Sequence, residues 1–116
     1  MTADAAPLRA LVGERIRTLR RMRGMSAQDL ADALRWPLDT LVNYEYGRRP
    51  LQIDRLAVLA EALGVPSAVL LIADPDTADL VVRLTSDRSL VREVNFFLDA
   101  LQTESGQPSQ APERGP

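Results

Sequence analysis

An all-α fold is predicted by three features of the sequence. Apolar residues recur every three or four positions through successive segments, no alternating run reads as a strand, and prolines and glycines fall where helices would begin and end. The stretch from Ser26 to Gly47 organises the rest, because its spacing is that of two short helices joined by a sharp turn. Leu30, Ala31 and Leu34 place one apolar face of the first helix inward, and Leu41 and Tyr44 do the same for the second. Between them, Arg35-Trp36-Pro37 breaks the pattern, since proline has no backbone donor and drives the preceding residue away from helical geometry. Gly47 stops the second helix.

The other elements follow in order. Met1 to Ala6 reads as a loose terminus, and Pro7 suits a first helical position. Leu8, Leu11, Val12, Ile16 and Leu19 then form the stripe of a first helix that ends at Gly24. Arg9, Arg15, Arg17, Arg21 and Arg23 read as its solvated face. Ser26 is a good N-cap for the second helix. Past a short loop at 50–52, Ile53, Leu56, Leu59, Ala60 and Leu63 give the apolar face of a fourth helix, stopped by Gly64. Pro66 opens a short fifth helix whose Val69, Leu70 and Leu71 cover the core.

Composition narrows the chemistry. A chain of 116 residues with 46% apolar content supports one domain and an appendage. Without cysteine or histidine there are no disulfides, no zinc sites of the usual kinds, no thiol nucleophile and no histidine acid–base pair. No carboxylate pair comes with a nucleophile or a phosphate loop, so neither an enzyme nor a cofactor or metal is expected. No apolar run is long enough for a membrane span, and the first ten residues lack the features of a secretory signal, which predicts a cytoplasmic protein. The net charge of −2 conceals an asymmetry: Leu8 to Gly24 carries six arginines against Glu14 alone, whereas residues 73–116 are acidic.

The order of residue types from about Leu11 to Ile72 resembles the Cro/repressor (XRE-type) helix-turn-helix family. The blocks that carry the resemblance are Ile16-Arg17-Thr18-Leu19-Arg20, Gly24-Met25-Ser26, Leu30-Ala31, Leu41, Tyr44-Glu45 with Gly47-Arg48-Arg49, and Leu56 to Val65. Residues 8–72 would then be a five-helix Cro/repressor-like domain that binds double-stranded DNA. In that family the arginine at the position of Arg20 pairs with the glutamate at the position of Glu45 and aims the recognition helix. The recognition helix here would be 38–46, presenting Leu38, Asp39, Val42, Asn43 and Tyr46 to the major groove. Asn43 suits adenine, Asp39 suits cytosine, and Leu38 and Val42 offer apolar contact only. Arg48 and Arg49 fall where the family touches the DNA backbone. The resemblance implies that the helix start at Ser26 would face a phosphate with its exposed amides. The family's usual glutamine is displaced here, with Ala27 in its place and Gln28 one position on.

Behind this domain, helices are predicted at about 75–85 and 87–102, then a disordered tail over 103–116 rich in Gln, Ser, Pro and Gly. Leu90, Val91, Val94, Phe97, Leu98 and Leu101 share one face of the last helix. A five-helix domain is complete without them, so 73–102 reads as a dimerisation segment, with packing back on the same chain as the alternative. The sequence therefore predicts a DNA-binding transcriptional regulator, a repressor acting as a homodimer on a two-fold-related operator, with no small-molecule effector expected. The competing reading is a protein-interaction module, such as an antitoxin-like accessory factor, whose C-terminal helices grip a partner protein.

Overall fold

The computed structural model describes residues 6–104. Its elements are α1 (Ala6–Met22), α2 (Ala27–Leu34), α3 (Leu38–Glu45), α4 (Ile53–Leu63), a 3-10 helix (Ser67–Leu71), α5 (Pro75–Ser86) and α6 (Arg88–Glu104), with no strand among the described residues. The expected loose start lies outside the described residues except for Ala6, which begins α1. The expected tail lies outside them from residue 105, while Thr103 and Glu104 extend α6. The chain divides between Val82 and Arg83 into two compact units.

In the first unit, the inward residues of each helix repeat at three and four positions and meet in one cluster. Val12, Ile16 and Leu19 of α1, Leu30 and Ala31 of α2, Leu41 of α3, and Leu56, Leu59, Ala60 and Leu63 of α4 are its centre, closed by Val65, Val69 and Leu70. Each large side chain buried there contributes about 1.5–3 kcal/mol. Four consecutive helices end the same way. A residue one or two positions after the helix turns left-handed, and two crossing backbone bonds satisfy the last carbonyls. At α3 these are Gly47 N–H to the Tyr44 carbonyl at 3.1 Å and Arg48 N–H to the Asn43 carbonyl at 2.8 Å. The corresponding residue of α2 is Arg35, at φ 60°, so α2 ends one residue before Trp36-Pro37 and by a backbone motif, not by the proline.

Several expectations about the core need correction. Ile53 is 80% exposed, because Leu51, just before the N-cap Gln52, packs on the core in its place, as the outer half of a hydrophobic staple with Leu56. Leu71 is exposed because the fifth helix is 3-10: with three residues per turn, Val69 and Leu70 inside leave the next position outside. Leu8 is also exposed, in the first turns of α1. Conversely, Ala78 is buried and Val81 and Val82 pack half-buried on the core, so α5 as far as Val82 belongs to the first unit rather than to a separate segment starting at residue 73. Asp74 caps α5 by accepting from the hydroxyl and the backbone N–H of Thr77, bonds that hold its carboxyl below the ordinary range.

The second unit contains the end of α5 and all of α6. No residue of α6 is buried. Its face carries Val91, Phe97, Leu98 and Leu101, exposed at 39%, 59%, 49% and 46%, with Leu90 and Val94 half-buried.

One position in α1 receives the backbone of α3 directly. A Cβ on Gly13 would fall on the carbonyl oxygen of Glu45 and lie 2.7 Å from that of Tyr44. Alanine is worth about 1 kcal/mol over glycine in an unobstructed helix. Here the direction should invert: Gly13→Ala is expected to lower stability by roughly 1–3 kcal/mol in chemical denaturation, since α1 and α3 must separate to admit the methyl group. An unchanged or higher denaturation midpoint would show that the two helices do not approach this closely.

Candidate nucleic-acid interface

The site is built on how α3 is held. Its inward side chains, Leu41, Tyr44 and Glu45, are all buried. The Arg20 guanidinium grips the Glu45 carboxylate as a fork, Nε to Oε2 at 2.8 Å and Nη2 to Oε1 at 3.0 Å, and its third nitrogen donates to the Met25 carbonyl at 3.1 Å. One side chain thus ties α1, α3 and the turn into α2. The bonds to Glu45 raise the Arg20 pKa above its ordinary value despite burial. No buried side-chain nitrogen or oxygen lacks a hydrogen-bond partner among the described residues.

Three of the α1 arginines expected on a solvated face have structural partners. Arg17 Nη1 donates to the Glu45 carbonyl, Arg9 Nε reaches the Gly47 carbonyl at 3.4 Å, and Arg15 spans the end of the 3-10 helix with bonds to the carbonyls of Val69, Ile72 and Ala73. Arg21 and Arg23 are exposed, and Arg23 Nη1 donates only locally, to the Leu19 carbonyl at 3.4 Å. The far side of α3 is held by aromatic contacts. Trp36 meets Tyr44 edge-on at 5.8 Å, and Arg55 of α4 stacks on Trp36 while donating to the Tyr44 hydroxyl at 2.9 Å. Neither Gly13 nor Arg55 was legible as part of the site. Nothing in the spacing distinguishes a glycine under a crossing helix from any other helical glycine.

With the inner face fixed, the outer face of α3 is defined. Leu38, Asp39 and Tyr46 are exposed, and Val42 and Asn43 are half-buried. Asn43 Oδ1 accepts from Arg48 at 3.4 Å, and the Arg48 guanidinium lies over the Tyr46 ring at 5.1 Å. Arg49 is exposed and stacks over Tyr44 at 5.6 Å. Ser26 and Asp29 form a reciprocal capping box at the start of α2, Asp29 N–H to Ser26 Oγ at 3.0 Å and Ser26 N–H to Asp29 Oδ2 at 2.9 Å, and the backbone N–H of Ser26, followed by its hydroxyl, holds the Asp29 carboxyl below its ordinary range. The Gln28 amide donates along the helix to Asp32 at 2.8 Å. The cap and Gln28 lie on α2 and its start, whereas Leu38, Asp39, Val42, Asn43, Tyr46, Arg48 and Arg49 belong to α3 and the turn after it. Leu90, Val91, Val94, Phe97, Leu98 and Leu101 belong to the other unit.

Two crossed helices joined by a turn, with the second locked from behind and its outer face open, form a DNA-reading motif, a binding device rather than a catalytic one. No group of acidic, histidine or cysteine side chains that could hold a metal ion occurs among the described residues, and no described helix is long and apolar enough to cross a membrane. The chain belongs to the helix-turn-helix domain family, whose profile matches residues 11–71. Among solved structures it is similar to the DNA-binding domain of BldD, with 30% identity and a TM-score of 0.55 over 60% of this chain and 100% of that one. It is also similar to the clp gene regulator ClgR from Corynebacterium glutamicum, with 33% identity and a TM-score of 0.54 over 57% of this chain and 86% of that one. A second ClgR structure matches 79% of this chain and 90% of its own at 26% identity and a TM-score of 0.55, so that likeness extends past the helix-turn-helix domain. No curated protein matches the chain.

The buried fork makes a stability prediction. Removing the carboxylate strands a buried guanidinium, so Glu45→Ala is expected to cost roughly 3–5 kcal/mol, measured by chemical or thermal unfolding. A loss no larger than that of an exposed substitution such as Arg21→Ala would mean that the fork does not hold α3.

Proposed function

We propose that this protein is a DNA-binding transcriptional regulator that binds a two-fold-related operator as a homodimer, placing α3 of each copy in successive major grooves. The observation that carries the reading is the two-sidedness of α3: its inner face is locked by Arg20 and Glu45, while Leu38, Asp39, Val42, Asn43 and Tyr46 are left open to a partner. The likeness to the DNA-binding domain of BldD and to the regulator ClgR supports it. We infer repression as its mode, since a domain of this size acts most simply by occupying a site that the transcription machinery needs. The site residues have distinct roles. Asn43 and Asp39 read base edges, Leu38 and Val42 make apolar contact, and Ser26, Gln28, Arg48 and Arg49 face the backbone.

Base readers and backbone contacts separate in a binding matrix of variants against an operator and its single-base changes. Asn43→Ala and Asp39→Ala should each relax preference at one base pair by roughly 1–3 kcal/mol, with nonspecific binding level, or improved for Asp39→Ala because a repulsion is lost. A uniform loss on every sequence would contradict the docking of α3.

The homodimer rests on α6, which carries an apolar stripe yet buries none of its residues. Pairing with the same stripe of a second copy removes it from water and supplies the two-fold axis. Truncation should accordingly end after Ser86, keeping the part of α5 that packs on the core. Sedimentation is expected to show a dimer for the full chain and a folded monomer for the truncated one. A dimeric truncated protein would place the interface elsewhere. A full chain that sediments as a monomer would assign the α6 face to a different protein, the interaction-module reading.

A further inference from the structure

Arg17 is the α1 residue whose place in the structure differs most from its place in the sequence. As one arginine of six on a helix, it reads as part of a solvated face. Instead its guanidinium lies 4.6 Å from the centroid of the Tyr46 ring and donates to the Glu45 carbonyl, so it is fixed at the C-terminal end of α3. The same ring carries Arg48 at 5.1 Å. Two cations from distant parts of the sequence therefore share one aromatic platform. Tyr46 itself is 54% exposed, and Arg48 is exposed beside it.

This arrangement solves an electrostatic difficulty of the reading helix. The C-terminal end of a helix carries partial negative charge on its free carbonyls and repels phosphate. At α3 the Glu45 carbonyl is covered by Arg17 and the Gly47 carbonyl by Arg9, so the end of the helix presents guanidinium groups in place of bare oxygens. A guanidinium has five N–H donors in a planar fork, and a single carbonyl occupies only part of that set. Stacking on Tyr46 restrains both side chains before any ligand arrives, which lowers the ordering cost of binding. We propose that Arg17, Tyr46 and Arg48 form one clamp for the phosphodiester backbone of DNA, in which α1 contributes a direct contact alongside the turn after α3. The clamp deepens the function proposed above and rests on it.

The test is the salt dependence of binding to bulk duplex DNA by the full chain, which counts neutralised phosphates. Each lost contact lowers the slope of log K against log salt by roughly 0.9. Arg17→Gln should lower it by about that amount, Arg17→Lys should keep it because the charge is retained, and Arg21→Gln, an exposed arginine of the same helix, should leave it unchanged. Tyr46→Phe keeps the ring and should bind within twofold of the parent. Tyr46→Ala removes the platform and should lose roughly fivefold or more, given about 0.5–1 kcal/mol for each exposed cation–π contact. Thermal melts of the same variants identify any that fail to fold, and Arg17→Lys keeps the test valid if Arg17→Gln does. In that case a slope for Arg17→Lys that falls by roughly 0.9 from that of the parent overturns the contact. A slope unchanged in folded Arg17→Gln overturns the clamp while leaving DNA binding intact. Tyr46→Phe losing as much as Tyr46→Ala overturns the role of the ring. A parent protein that binds duplex DNA at no salt concentration overturns the proposed function, and the clamp with it.

Discussion

The buried fork between Arg20 and Glu45 is the constraint on which the rest of the domain depends. Removing two charges from water costs several kcal/mol per ion, and the attraction between them roughly offsets this only when the geometry is good and the remaining donors are satisfied. Here both conditions hold, with two short bonds to the carboxylate and a third from Arg20 to the Met25 carbonyl. The pair therefore adds little to stability over an apolar pair of the same volume, and its value is directional. A guanidinium fork accepts a carboxylate in one plane, so it fixes the rotation of α3 about its own axis as well as its distance from α1. Gly13 sets the same distance by a different means, letting the α3 backbone rest directly on α1. An apolar core tolerates rotation of a helix more readily than a fork and a backbone contact acting together.

The acidic balance of the whole chain, with an isoelectric point near 5.1, contrasts with a helix α1 crowded with arginine. The contacts reconcile the two. Arg15 commits its donors to the end of the 3-10 helix, Arg20 to Glu45 and Arg9 to the Gly47 carbonyl, while Arg17 gives one donor to the Glu45 carbonyl. Much of the positive charge is thus assigned to carbonyls and to one carboxylate inside the domain rather than spread over a general cationic surface. Affinity for nucleic acid, on this arrangement, comes from a few placed guanidinium groups and not from net charge.

How much of this was legible in the sequence depends on the range over which each signal acts. Helix periodicity and glycine stops are local, and they located the helices of the domain to within a few residues, including the left-handed turns at Gly24, Gly47 and Gly64. The Arg20 and Glu45 positions were read from an ordered family pattern, since no local rule joins residues so far apart in sequence. What the sequence hid were the contacts decided by packing. Ile53 has the spacing of a core residue and stands in water because Leu51 occupies its place. Arg15 and Arg17 are indistinguishable in the sequence from Arg21, and only the crossing of other elements over α1 separates them. The first turns of α5 were assigned away from the domain because a family pattern ending near residue 72 gave no reason to continue it, yet Ala78 is small enough to reach the core and does.

The reading face and the apolar helix α6 also constrain each other. Among the outward residues of α3, only Asn43 and Asp39 combine a position facing outward with a side chain suited to base edges, and each good contact discriminates by about 1–3 kcal/mol. A single copy would then distinguish its site from bulk DNA by a margin at the low end of what specific DNA-binding proteins achieve, which spans about 4–10 kcal/mol. Joining two copies adds the discrimination of two half-sites and makes the second encounter intramolecular, at an effective concentration set by the geometry of the join. A domain with few base readers therefore gains more from a partner copy than one with many. The exposed stripe of α6, on the proposed reading, is what lets a sparse recognition helix act as a specific one.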